Sequence, residues 1–200
     1  MQSIFWVTAF GSLLFFASQV SAAGLMQCVQ DVCLRKSSGS VVEVRERLGA
    51  RGSPVAMTSA DRARTYCVGS GKSTSLLFLY QGDGPVKGAE LGAIGVTQEN
   101  VCHRRRGRAD EVNRLLEAPP VTLLGMSKSE ITKLFGVPAH VVDTVAREKQ
   151  DRRYANTTTS SRFGAECWIF SSPDPKSLLV NEVCFDQTER VRTVWLSESP

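Results

Sequence analysis

The side chains of this chain best able to do chemistry are six cysteines, two histidines and a few paired carboxylates. Cys28, Cys33, Cys67, Cys102, Cys167 and Cys184 are even in number and all follow an apolar leader, which predicts a disulfide framework rather than free thiols. Cys167 and Cys184 are the easiest pair to place. Glu166 to Phe170 and Leu178 to Phe185 read as two strands around Ser172-Pro173-Asp174-Pro175-Lys176, and across such a hairpin the two sulfurs come within bonding reach. In the first half the expected pairs are Cys28–Cys33 and Cys67–Cys102. No cysteine pair has CxxC spacing and His103 and His140 are the only histidines, so no metal site is expected.

Nucleophilic catalysis needs a serine or cysteine beside a positioned base. Only His103 and His140 could supply an imidazole, and neither sits in a recognisable catalytic sequence. A small secreted hydrolase built on one of them is the enzyme alternative; the main expectation is that the protein has no catalytic residues. Asp143/Glu148 and Asp186/Glu189 read as solvated helix and turn positions. Val68-Gly69-Ser70-Gly71-Lys72-Ser73-Thr74 imitates a phosphate loop but places Tyr66 where that motif requires glycine. Neither nucleotide nor any other cofactor is expected.

Two groups of residues point to binding. His103-Arg104-Arg105-Arg106-Gly107-Arg108 is the densest charge cluster in a chain of net charge +4. Arg104, Arg105, Arg106 and Arg108 could hold an anionic lipid or glycan, or form a solvated linker. The modest total charge argues against nucleic acid. Trp168, Phe170 and Trp195 fall in predicted strands, with Trp168 and Phe170 on one face by their spacing of two. With Tyr154 they form a candidate protein-binding strip if that face is open, or core if it is covered. Asn156-Thr157-Thr158 has the form of a glycosylation acceptor, and reads as a polar loop in a bacterial host.

The elements that must carry these residues begin after a leader. Ile4 to Ala17 has no charged side chain and is followed by Val20-Ser21-Ala22 and Ser21-Ala22-Ala23, both small-residue cleavage patterns. Residues 1–23 are therefore read as a signal peptide and the mature protein as exported, periplasmic or secreted. A retained anchor through residues 4–23 is the alternative. Gln27 to Ser40 reads as a loop with two cysteines, and Val41, Val44 and Leu48 as one face of a short helix that Gly49 ends. Strands are expected at Thr65–Val68, Ser75–Tyr80, Glu90–Val96 and near Val101. Arg108 to Glu117 reads as a connecting helix stopped by Pro119-Pro120.

Ser127-Lys128-Ser129-Glu130 is a capping box, with Ile131, Leu134 and Phe135 as the buried stripe of the helix it opens. Ala139 to Arg147 fits either a second short helix or an irregular arm. Strands are expected near Arg153-Tyr154, at Glu166–Phe170, Leu178–Phe185 and Val191–Leu196.

The second half repeats the plan of the first. Glu43, Val44, Leu48 and Gly49 fall on Glu130, Ile131, Phe135 and Gly136, and Val96 to Val101 aligns with Asp186 to Val191. The predicted fold is α+β: two tandem units, each one or two short helices packed on a four-stranded antiparallel sheet. The units span 28–102 and 121–197, joined by a basic linker and connecting helix at 103–120.

Leu124-Gly125-Met126-Ser127-Lys128-Ser129-Glu130-Ile131, Leu134-Phe135-Gly136-Val137-Pro138 and Phe185-Asp186-Gln187-Thr188-Glu189-Arg190-Val191 together resemble the SmpA/OmlA (BamE-type) outer-membrane lipoprotein domain over residues 121–197. Two such units in one exported chain are similar in plan to the beta-lactamase inhibitory proteins. The resemblance implies a binding protein whose partner is another extracytoplasmic protein, either an envelope component or a target enzyme. No lipidation site is present: Gln27 precedes Cys28 where the lipoprotein pattern needs a small residue.

Overall fold

The computed structural model describes residues 25–34, 43, 44, 46, 64–69, 74–81, 90–99, 114–152, 158–172, 174 and 176–198, with backbone only at 64–69, 80, 81 and 90. Residues 1–23, read above as a signal peptide, Cys102, His103, the arginine cluster, the strand expected near Val101, and Tyr154 and Asn156 lie outside the described residues.

The architecture is α+β. Strands β1 (Cys28–Val29) and β2 (Val32–Cys33) form a small hairpin, so the expected loop is in part a tight turn. Gln30 turns it with a positive φ of 56°. The remaining strands are β3 (Arg64–Gly69), β4 (Ser75–Gln81), β5 (Glu90–Thr97), β6 (His140–Asp143), β7 (Glu166–Ser171), β8 (Leu179–Phe185) and β9 (Val191–Glu198). They lie in one antiparallel sheet of order β3-β4-β5-β9-β8-β7-β6. Among the described residues the strands of the two expected four-stranded sheets thus form a single sheet of seven. Its seam is β5 against β9, where Gly95 faces Trp195 and Thr97 faces Thr193.

Alternation along the strands sorts side chains onto two faces. On one, Phe78, Ile94, Phe170, Val183 and Leu196 are buried with Ile131 of helix α2 (Lys128–Phe135) and with Val29, Val32 and Val44. That cluster draws on both halves of the chain. Glu43, Val44 and Glu46 are helical, and Val44 is buried in the shared core, as its place in the predicted apolar face requires. On the other face Leu77, Leu79, Ala93, Trp195 and the Cys167–Cys184 pair are buried with Phe163.

Local signals explain most element boundaries. The Glu130 amide donates to the Ser127 Oγ at 3.4 Å and the Ser127 amide to the Glu130 Oε2 at 2.8 Å, the reciprocal capping box. Gly136, at φ 79°, ends α2. Arg114 and Leu115 are helical, the described end of the expected connecting helix, which stops ahead of Pro119 and Pro120. The prolines also open a short helix of their own, α1 (Pro119–Thr122), because proline lacks only an amide that the first turn leaves unused. The segment after Pro138, read as helix or arm, is strand β6 followed by α3 (Thr144–Gln150), with the Asp143 carboxylate accepting from the Ala146 amide at 2.9 Å.

The second of the two repeat alignments does not survive. Val96 and Thr97 end strand β5, whereas Asp186 to Glu189 form the turn before β9. The Asp186 Oδ1 accepts there from the Thr188 amide and hydroxyl and from the Arg190 amide.

Candidate functional site

Two of the expected disulfides are present, Cys28–Cys33 and Cys167–Cys184. The second joins directly opposed residues of β7 and β8. Both fit an oxidising, extracytoplasmic setting. The pairing expected for Cys67 with Cys102 lies outside the described residues. No helix among the described residues is long and apolar enough to cross a membrane.

The aromatic strip is not an open binding face. Trp195 is fully buried, its ring 5.0 Å from that of Phe163 in an edge-on contact. Phe170 is buried 5.2 Å from Phe135 on the helix-covered face. Trp168 shares that face with Phe170 as its spacing predicts, but is only partly buried. Its Nε1 donates to the Glu166 Oε1 at 2.6 Å, and its ring stands 4.9 Å from Phe185. The Lys128 ammonium lies 5.8 Å from the Trp168 ring and 5.7 Å from the Phe185 ring, bridging Glu166 at 3.0 Å and Glu189 at 3.2 Å. Burial works against this charge, yet bonds to the two carboxylates raise its pKa above the ordinary lysine value. This cluster ties the start of α2 to the sheet.

The carboxylate pairs are also structural. Asp143 caps α3, and Glu148 accepts from the Ser161 amide and hydroxyl. Partial burial would push Glu148 up, but those bonds, with one from Ser160, hold it below the usual carboxylate range. Asp186 is lowered likewise, its turn bonds and Arg190 outweighing burial. Among the described residues no three His, Cys, Asp or Glu side chains form a group that could hold a metal.

What the sheet leaves available is an edge. Among the described residues β6 pairs with β7 alone, and three of its four residues are exposed. His140, the one histidine among the described residues, lies on it opposite Ile169. The Thr144 amide donates to the Ala165 carbonyl at 3.2 Å, which sets the phase of the ladder. His140 and Val142 turn their backbone groups to β7, and the Val141 amide and carbonyl point away from it.

Among the described residues, three of the large apolar side chains left exposed lie on this strand or next to it in sequence: Val137 at 85%, Val141 at 57% and Val145 at 40%. Leu178, at 41%, stands apart from them ahead of β8. The sequence carried a signal for the first three in the spacing of valines from 137 to 145, but β6 was not recognisable as a strand, so no edge was expected there.

A second feature lies beneath the other face. Glu182 of β8 faces Trp195 of β9 and Ile169 of β7. Although the residue as a whole is not fully buried, its Oε2 is inaccessible and makes no hydrogen bond; nor does the buried Trp195 Nε1. Burial pushes the Glu182 carboxyl above its ordinary pKa, against the Thr158 hydrogen bond and the charge of Arg147.

No family model matches the chain, and no curated protein matches it. A solved structure similar to it is that of a DUF4309 family protein (YjgB) from Bacillus subtilis, at 14% identity, 90% coverage of each chain and a TM-score of 0.48. That likeness is too slight to carry an argument about function.

Proposed function

We propose that this is a non-enzymatic, exported protein-binding module of the cell envelope that docks an extended segment of another extracytoplasmic protein along β6. The observation that carries the reading is the coincidence of a free sheet edge with the exposed valines at 137, 141 and 145. An edge strand offers alternating donors and acceptors that another extended backbone can pair with in register, and neighbouring apolar side chains then select its residues. Phe78, Ile94 and Phe170 on one face and Leu77 and Trp195 on the other are buried, which moves the contact from the expected open face to the rim.

Other features support parts of the same reading. The carboxylates at 143, 148, 186 and 189 are engaged in caps, turns and ion pairs, which favours binding over catalysis. The resemblance of 121–197 to the envelope lipoprotein domain favours an assembly or adaptor role over enzyme inhibition. The tandem plan has support in topology, since meander β3-β4-β5 and meander β7-β8-β9 abut through their last strands. That is the arrangement expected of two copies of one ancestral unit.

The test is site-specific photocrosslinking of the mature protein in its own envelope extract. A crosslinker at Val141 should give a discrete adduct that one at Lys176 does not. Equal labelling from both positions, or none from Val141, would end the proposal. The identity of the captured chain separates an envelope component from a target hydrolase.

A further inference from the structure

Helix α3 and residues 158–165 are fastened to one another and lie close to Glu182. The Glu148 carboxylate accepts from the Ser161 amide, and from the Ser161 hydroxyl at 2.8 Å. The Thr144 hydroxyl donates to the Gly164 carbonyl at 2.7 Å, and an Arg147 nitrogen to the Thr159 hydroxyl at 3.5 Å. Phe163 packs edge-on against Trp195, and the Ala165 amide donates to the Phe185 carbonyl at 2.7 Å. The bonds between α3 and the loop are local to the cover, and the Ala165 amide and the Phe163 ring join it to the sheet, while Glu182 and Trp195 keep a polar atom each that nothing bonds.

We infer that residues 158–165 and α3 form a proton-controlled cover, closed over Glu182 when that side chain is neutral and released when it ionises. Among the described residues, the groups that act on the carboxyl and the charged groups carried by the elements around it are few. From α3 come Arg147, whose charge favours ionisation, and Glu148, which is held by Ser161. From the loop come the Thr158 hydroxyl and Arg162, whose guanidinium lies 5.0 Å from the Phe163 ring. β9 offers the neutral Trp195 and Thr193, β7 offers Ile169, and β6 places His140 at the end of the same row. Among the described residues Arg147 is thus the one cation that acts on Glu182, and it does not outweigh burial.

The sign follows from which state holds the proton. The closed cover keeps Glu182 protonated to higher pH than water does, so opening releases a proton. Closure is strongest below the ordinary glutamate range, about 4.3, and weakens as pH rises above it. It goes on weakening until the carboxyl also ionises in the closed state. Over that window the opening equilibrium grows by up to about tenfold per pH unit. α3 follows β6 without a break, so release of the cover would loosen one end of the docking edge. The inference nevertheless stands apart from the docking proposal, because its test involves no partner.

The experiment is amide hydrogen exchange of the mature protein between pH 5 and 8, expressed as protection relative to the intrinsic rate. Protection of the Ser161 and Ala165 amides should fall with pH in the native protein, while that of the Val194 amide at the centre of the sheet holds. Glu182→Gln should abolish the slope at Ser161 and Ala165. Glu182→Met, also unable to ionise, should do the same and serves if the amide variant does not fold. A slope that persists in either folded variant, or a flat profile in the native protein, overturns the inference.

Discussion

Gly95 and Trp195 show how one residue choice sets the seam of the sheet. The indole lies flat over Gly95, and a methyl group at position 95 would come within 2.3 Å of its Cζ3. Ring atoms held by Phe163 and the sheet cannot retreat by that much without displacing the packing around them. Gly95→Ala should therefore destabilise the fold by about 1–3 kcal/mol, the usual cost of overpacking. Trp195→Leu should lose stability on its own, by leaving a void. If the contact is the cause, the double variant should lose less than the sum of the two, measured by urea denaturation. Strict additivity would show that the glycine is needed for some other reason. Neither role could be read from the sequence, where Gly95 is one glycine in an apolar strand and Trp195 one aromatic in another. Only the β5–β9 register brings them together, and register between distant strands leaves no local mark.

Short elements were legible where their boundaries carry a mechanism. The serine and glutamate of the capping box fixed the start of α2, and Gly136 its end, because both act on backbone groups within one turn. Strands β4, β5, β7, β8 and β9 announced themselves as runs of β-branched and aromatic residues, and β7 and β8 also by the cysteines they oppose. β6 did not, since His140-Val141-Val142-Asp143 is four residues long and becomes a strand only by pairing with β7. The prolines at 119 and 120 were half legible: the helix before them ends by Leu115 as expected, but the same ring that cannot continue one helix starts another at its first turn.

Side-chain clamps were invisible for a similar reason. Asn181, buried on β8, takes the Met26 amide on its Oδ1 and gives its Nδ2 proton to the Met26 carbonyl, each at 2.8 Å, fastening the β1–β2 hairpin to the core. Asn181→Leu would strand both backbone groups. A loss of about 1–3 kcal/mol is expected, with early proteolytic cleavage near residues 25–34. If cleavage there stays as slow as in the native protein, the clamp does not hold the hairpin.

The chain folds around a seam rather than on either side of a linker. Thr193 donates its hydroxyl to that of Thr97 at 2.8 Å across β5 and β9, and both are fully buried. Val44, Phe78 and Ile94 from the first half share one apolar cluster with Ile131, Phe170 and Leu196 from the second. The periodicity of each half foretold a helix on an antiparallel meander, but nothing in either half says that its last strand is unfinished. An edge is completed by whatever lies beside it, and that is decided by tertiary packing. If the two meanders complete one another, neither has a core of its own, because removing one exposes the last strand of the other along its whole length. A chain of residues 24–200 should then melt in a single transition whose calorimetric and van't Hoff enthalpies agree. A fragment of residues 121–200 made alone should show no cooperative melt, and should regain one when mixed with a fragment of residues 24–120. Two separable transitions in the full chain, or a second half that folds unaided, would mean that the seam joins two finished domains.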